Sequence, residues 1–276
     1  MRRTNSSQSR LIGSLPLIGQ LANDEISAFD RFRQLFDLRD AVVVEIGGAL
    51  PASLITNANI RVWHAVDPRD LGDRGNTAQI VRHRVPILDF TTNETPCDLF
   101  FSSNAFQHVH CFREVLNHLA SLARPGAWFY ANFGPIWSAP DGSHIEDLVC
   151  EGKTYQFWDG PLHPPWAHLC HSRDELREIL APMHGQPLAR ALTEYIHQST
   201  WINRWLLWEY RQALEDSPWG VAAFRTCADF GYSAYPPTWI HDEQNRRRLE
   251  FLMAQYNQPA DSFLARDLEL ILSLPT

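Results

Sequence analysis

Glu45 closes the apolar run Ala41-Val42-Val43-Val44 and is followed at once by Ile46 and the paired glycines Gly47 and Gly48. Glycine alone takes positive φ, or lets a backbone approach a ligand closely, without steric cost. A carboxylate and a bare backbone therefore stand together where a strand would give way to a helix, the end of an open parallel sheet that binds ligands. About 20 residues on, Asp67 ends a second apolar run, Ile60-Arg61-Val62-Trp63-His64-Ala65-Val66, at the distance from which a second-strand acid reaches a ribose hydroxyl. Glycine turn and spaced acid together point to a nucleoside-type cofactor. Imidazoles supply a second kind of chemistry. His108 and His110 are two apart, His144 lies beyond a fifth strand candidate, and His163, His168 and His171 follow in a segment rich in Pro and Trp. An imidazole titrates near neutrality and suits general-base work; His144 is the expected base or substrate orienter, with His108 second. Histidines also bind metals, but the chain has no His-Glu-x-x-His and no histidine pair at helical i, i+4 spacing, so no metal is expected.

The elements that must position these groups follow from periodicity. Short continuous apolar runs suit strands buried on both faces of a parallel sheet. Candidates are 41–46, 60–66, 85–90, 97–104 running into a polar loop, and 127–133, with 188–197 as a sixth. Ile26, Phe29, Phe32, Leu35 and Phe36 recur at helical spacing, which predicts a helix over 23–38 capped by Asn23 or Asp24. A short helix or turn is expected over 51–57, and a helix over 112–123 stopped by Arg124-Pro125-Gly126. Ser172-Arg173-Asp174-Glu175 is a capping box opening another helix. Helices are expected over 200–215, carrying Trp201, Trp205 and Trp208, and over 241–256, while 265–273 reads as strand or helix. Strands alternating with helices predict an α/β fold, a Rossmann-like doubly wound, mostly parallel sheet of seven strands. The expected organisation is a leader and helix over 1–39 and a cofactor-binding core over 40–198 with a loop insertion at 134–171. A helical, Trp-rich cap over 199–257 and a final core element over 258–276 complete it. Seven of the ten tryptophans fall after residue 150, where they would wall a small-molecule pocket or form a stripe against the core or a second subunit.

Composition narrows the classes. A formal charge of −8 argues against a nucleic-acid grip, which needs a basic stripe for phosphates. No apolar run approaches the roughly 20 residues that span a bilayer, so no membrane association is expected. Arg2-Arg3 before Leu11–Ile18 outline a signal peptide faintly, but Pro16 interrupts the stretch and no small-x-small site follows. Five scattered cysteines without a C-x-x-C read as reduced thiols of a cytoplasmic protein. A homodimer is compatible with all of this.

In order along the chain, several landmarks resemble class I S-adenosylmethionine-dependent methyltransferases. Val43-Val44-Glu45-Ile46-Gly47 resembles the family's first motif, and Val66-Asp67 its second-strand acid. Leu88-Asp89-Phe90 stands where the family places residues beside the adenine. Asp98-Leu99-Phe100-Phe101-Ser102 with Phe106-Gln107-His108-Val109 resembles the fourth-strand signature and its trailing histidine. Leu122-Ala123-Arg124-Pro125-Gly126-Ala127 resembles the turn before the fifth strand. Ala49 and Pro51 depart from the motif by standing where glycines are expected; at a helix's first turn the missing N–H of proline is tolerated. No G-x-G-x-x-G exists to support a nicotinamide cofactor.

The resemblance implies S-adenosylmethionine as cofactor, held by Glu45, Gly47, Gly48, Asp67, Asp89 and Phe90. Ser103 and Asn104, past the fourth strand, are expected at its methionine end. The implied reaction moves a methyl group to O, N or C of a small, partly apolar or aromatic acceptor in specialised metabolism. Trp137, Asp141, Trp166, His168 and Asn203 are the expected acceptor contacts. Two alternatives stay open: the same fold catalysing a reaction other than methyl transfer, and a non-catalytic subunit that binds a partner.

Overall fold

The structure, a computed structural model, describes residues 10–13, 15, 21–22, 24–48, 50–69, 77, 79–94, 96–228, 235 and 239–276. Asn23, Ala49 and most of the 1–20 leader lie outside them. The chain opens with helix α1 (Glu25–Leu35), where Asp24 and Ser27 cap each other's backbone N–H groups at 2.8 and 3.2 Å. Strand β1 (Val42–Ile46), short helix α2 (Ala52–Thr56) and strands β2 (Val62–Val66), β3 (Ile80–His83) and β4 (Cys97–Ser103) follow. Helix α3 (Phe112–Leu122) leads directly into β5 (Ala123–Phe133). The insertion then forms a hairpin of β6 (Leu148–Cys150) and β7 (Lys153–Tyr155) before helices α4 (Ala167–Cys170), α5 (Arg173–His184) and α6 (Gln186–Gln198). Helix α7 (Leu207–Glu215), strand β8 (Gly220–Cys227), helices α8 (Glu243–Tyr256) and α9 (Asp261–Leu264) and strand β9 (Asp267–Ser273) complete the chain.

Among the described residues the main sheet has seven strands in the order β3-β2-β1-β4-β5-β9-β8. Neighbours from β3 through β5 are parallel, and β9 runs antiparallel between β5 and β8. Strand order reverses between β1 and β4, the switch point where doubly wound sheets hold their ligands. Successive side chains alternate between faces. Phe100 thus joins Phe106, Phe112, Phe129 and Trp219 on one face, and Phe101 joins Phe29, Phe32, Trp63 and Tyr130 on the other. Every residue of β1, β2 and β4 is buried, as continuous apolar runs in a covered parallel sheet require. Two buried acids tie the sheet together. Asp98 accepts the Val42 N–H at 2.8 Å and pairs with Arg10 and Arg124, and Glu269 accepts the Tyr130 hydroxyl and pairs with Arg31 and Arg225.

Three expected elements come out differently, and one strand is unexpected. The third strand is 80–83 rather than 85–90; Pro86 caps a single helical turn, Ile87–Asp89, instead. Residues 188–197 belong to α6, not to a strand: Leu188, Ala189, Leu192, Thr193 and Ile196 are buried at helical spacing behind Pro187 in the first turn. The helix expected from 200 starts at Leu207, so Trp201 and Trp205 lie on an irregular segment and form no stripe with Trp208. Strand β8 had no counterpart in the sequence reading and falls within 199–257. Helices α5 and α6 share a separate small core with Ile145 and Ala167. No helix among the described residues is long and apolar enough to cross a membrane.

Candidate active site

A cavity of about 470 Å³ opens at the carboxyl ends of β1 and β4. Its floor is Gly47 with Ser103, Asn104 and Ala105, and Glu25 from the start of α1 closes one side. Arg69, from the turn after β2, and Asn132, at the end of β5, stand at its flanks. Its far wall is His108, His144, Glu146, Phe157 and Trp201, with Arg266 and Asp267 below.

Gly47 is required by geometry. It has φ +109°, and a Cβ there would stand 2.8 Å from the Ala105 Cβ. Glu45 lies underneath: its carboxylate accepts the Leu50 N–H at 3.0 Å and the Trp63 indole N–H at 2.7 Å, bracing the turn that carries Gly47. Asp67 sits at the tip of β2 with its carboxylate held by Arg69, whose Nη2 donates to Oδ2 at 2.8 Å and whose backbone N–H donates to Oδ1 at 2.7 Å. The Arg69 guanidinium also lies 5.8 Å from the centre of the Trp201 ring. Asn104, at φ +49°, donates from Nδ2 to Glu25 at 3.2 Å and ties α1 to the β4 loop. Ser103 Oγ and Gln107 Oε1 are buried without a hydrogen-bond partner among the described residues, beside this floor. Unpaired buried polar atoms next to a bare glycine turn fit a ligand that carries polar groups of its own.

On the far wall, His108 Nδ1–H donates to the Trp201 carbonyl at 2.8 Å, which leaves Nε2 with its lone pair. Burial pushes the His108 pKa down to about 4, with the neighbouring His144 adding to the effect. His144, at φ +45°, has Nε2 3.4 Å from Glu146 Oε2, and that oxygen accepts the Trp201 indole N–H at 2.7 Å. The His144 contact holds Glu146 below the ordinary carboxylate range, assisted by the indole. Tyr195 clamps this segment, donating to the His144 carbonyl and accepting the Glu146 N–H.

Of the expected cofactor residues, Gly47, Ser103 and Asn104 line the cavity; Gly48 is buried behind them, its carbonyl accepting from Arg82 at 3.3 Å. Asp89 is exposed, and Phe90 is buried against the rings of His64 and His83. Glu45, Gly48, Asp67, Asp89 and Phe90, the other expected cofactor residues, are not among the cavity's lining residues; Asp67 reaches its edge only through its partner Arg69. The expected acceptor contacts also lie elsewhere. Asp141 pairs with Arg266 at 2.9 Å, beneath the cavity. Trp166 is fully buried and donates to the Phe263 carbonyl; His168 donates to the Trp137 carbonyl, and Arg204 covers the Trp137 ring. Asn203 donates to the Phe106 and Val109 carbonyls and bonds the Tyr210 hydroxyl, bracing the loop that carries His108. Glu25, Arg69, Glu146, Phe157, Arg266 and Asp267 were not anticipated, whereas Trp158 and Trp201, two of the tryptophans expected to wall a pocket, do line the cavity.

No protein-family model matches the sequence, and no curated protein matches it. Solved structures do. One assigned as an S-adenosylmethionine-dependent methyltransferase of Listeria monocytogenes superposes with a TM-score of 0.50 at 11% identity, over 90% of this chain and 97% of that one. A second, from Mesorhizobium loti, has a TM-score of 0.48 at 12% identity, over 88% and 95%. The chain has the Rossmann-like fold of class I S-adenosylmethionine-dependent methyltransferases.

Proposed function

We propose that the protein binds S-adenosylmethionine and transfers its methyl group to an oxygen, nitrogen or carbon of a small, partly aromatic or apolar acceptor. The observation that carries this reading is the cavity at the β1/β4 switch point, with the bare Gly47 backbone on its floor and Asp67 at the adjacent strand tip. When bound, the cofactor supplies an electrophilic methyl group open to in-line displacement. The Asp67 carboxylate accepts the two ribose hydroxyls once Arg69 swings aside. Gly47 and Gly48 present backbone to the methionine portion, Glu45 keeps their turn in place, and Ser103, Asn104 and Glu25 meet its polar end. Phe157 and Trp201 give the acceptor an aromatic wall. The His108–His144–Glu146 side of that wall draws off the acceptor's proton, and enclosure orients the reacting atoms. Five cysteines, none of them in a disulfide, support work in the cytoplasm.

Isothermal titration with S-adenosylhomocysteine tests the reading. Saturable one-site binding by the wild type, lost or much weakened in Asp67→Ala, is expected. No binding by the wild type, or undiminished binding by the variant, removes it.

A further inference from the structure

His108, His144 and Glu146 reach one wall of the cavity from two different loops, with their ligating atoms no more than 4.8 Å apart. We propose that these three side chains bind a divalent transition-metal ion whose open coordination position faces the cavity. Two imidazoles and one carboxylate form the donor set of open zinc and related first-row sites.

The His144–Glu146 spacing is that of two ligands sharing one ion. His144 Nε2 and Glu146 Oε2 stand 3.4 Å apart, beyond the ~2.7–2.9 Å of a charge-assisted hydrogen bond. Two ligands each ~2.1 Å from a tetrahedral centre lie about 3.4 Å apart. The surrounding groups orient the ligands as the outer shell of a metal site does. The Trp201 carbonyl takes the Nδ1–H of His108 and so leaves Nε2 as the donor, while the Trp201 indole fixes Glu146. Tyr195 holds the backbone on which His144 and Glu146 sit. His144 is buried.

The ion also defines an acceptor class, a part that rests on the methyl-transfer reading. An acceptor bearing a hydroxyl or carboxylate oxygen completes the coordination shell, and a hydroxyl so bound becomes more acidic. Both imidazoles then serve as ligands, and the ion takes over from them in preparing the nucleophile.

The test uses chelator-treated full-length protein titrated with Co²⁺ and followed by visible absorption, with Zn²⁺ as competitor. One Co²⁺ per chain is expected, with d–d bands that Zn²⁺ abolishes. Affinity should fall by at least about 100-fold in Glu146→Gln and His144→Ala, since loss of even an outer-shell partner costs up to that much. His110→Ala, which changes an exposed neighbour, should bind as the wild type does. Glu146→Gln keeps an acceptor for the Trp201 indole, and thermal melts establish that each variant folds. Should a variant fail to fold, zinc-edge X-ray absorption of the wild type decides: two imidazoles in the first shell support the site, and fewer overturn it. Absence of Co²⁺ uptake by the wild type, or unchanged affinity in folded Glu146→Gln and His144→Ala, also overturns it. Titration of the same preparation with S-adenosylhomocysteine separates the two readings. Cofactor binding without metal removes only the ion, and metal binding without cofactor removes only the transferase.

Discussion

Arg69 occupies the carboxylate that the account gives to the ribose, so its removal should tighten cofactor binding rather than weaken it. Arg69 grips Asp67 through Nε and Nη2, yet its own side chain is 51% exposed. A pair open to solvent on one side is worth at most about 1 kcal/mol. Its cation–π contact with Trp201 adds roughly 0.5–1 kcal/mol. Displacing the guanidinium therefore costs the ligand about 1–2 kcal/mol, so Arg69→Ala should raise affinity for S-adenosylhomocysteine by roughly 5- to 30-fold. Asp67→Asn removes the charge from an acceptor of two hydroxyl donors, each bond worth about 1.5–3 kcal/mol, and should cost at least ~10-fold. The two changes couple. With Arg69 already gone the full value of the carboxylate is exposed, so Asp67→Asn should cost ~1 kcal/mol more in the Arg69→Ala background than alone. Isothermal titration of the four proteins measures the cycle. Weaker binding by Arg69→Ala would make the arginine a ligand contact and refute the reasoning, as would unchanged binding by Asp67→Asn.

Other perturbations separate the site from its supports. Gly47→Ala forces a Cβ to within 2.8 Å of Ala105 at φ +109°, and should cost about 1–3 kcal/mol in urea unfolding together with most cofactor affinity; wild-type values for both would show that the turn has room. Asn203→Ala strips donors from the buried Phe106 and Val109 carbonyls and a partner from the Tyr210 hydroxyl. It should lower stability by ~2–4 kcal/mol, and an unchanged urea midpoint would contradict the bracing role. Burial holds His168 neutral, with its pKa lowered to about 3, whereas the unfolded chain titrates near the ordinary 6.5. The unfolded state thus binds more protons between those values, so stability is full above about pH 6.5 and falls progressively as pH drops toward 3. A loss of the order of 1–2 kcal/mol between pH 7.5 and pH 5 is expected, and a flat profile in urea unfolding would contradict it.

The strand tips were legible because parallel strands buried on both faces leave continuous apolar runs, and Glu45 and Asp67 mark where β1 and β2 end. Gly47 could be placed for the same reason. The far wall was less readable. Trp201 was assigned to a helix with Trp205 and Trp208, a spacing that a helix satisfies, while the chain in fact stays irregular up to Leu206. Residues 188–197 were expected as a strand, yet Leu188, Leu192 and Ile196 recur every four residues and form the buried face of α6. Trp166, His168 and Asn203 have polar groups suited to binding, but sequence does not tell a group facing a cavity from one satisfied by a backbone carbonyl. Arg69 and Glu146 were hidden for the complementary reason: an exposed-looking charge two residues from a marked one carries no sign of where it turns.

A crystal structure of the complex with S-adenosylhomocysteine tests the central claim most directly. The nucleoside is expected across the tips of β1, β2 and β4, its ribose hydroxyls on Asp67 with Arg69 displaced, and its sulfur facing the wall of His108, His144 and Glu146. Ligand bound elsewhere, or an empty crevice with Arg69 still seated on Asp67 at saturating concentration, would contradict it.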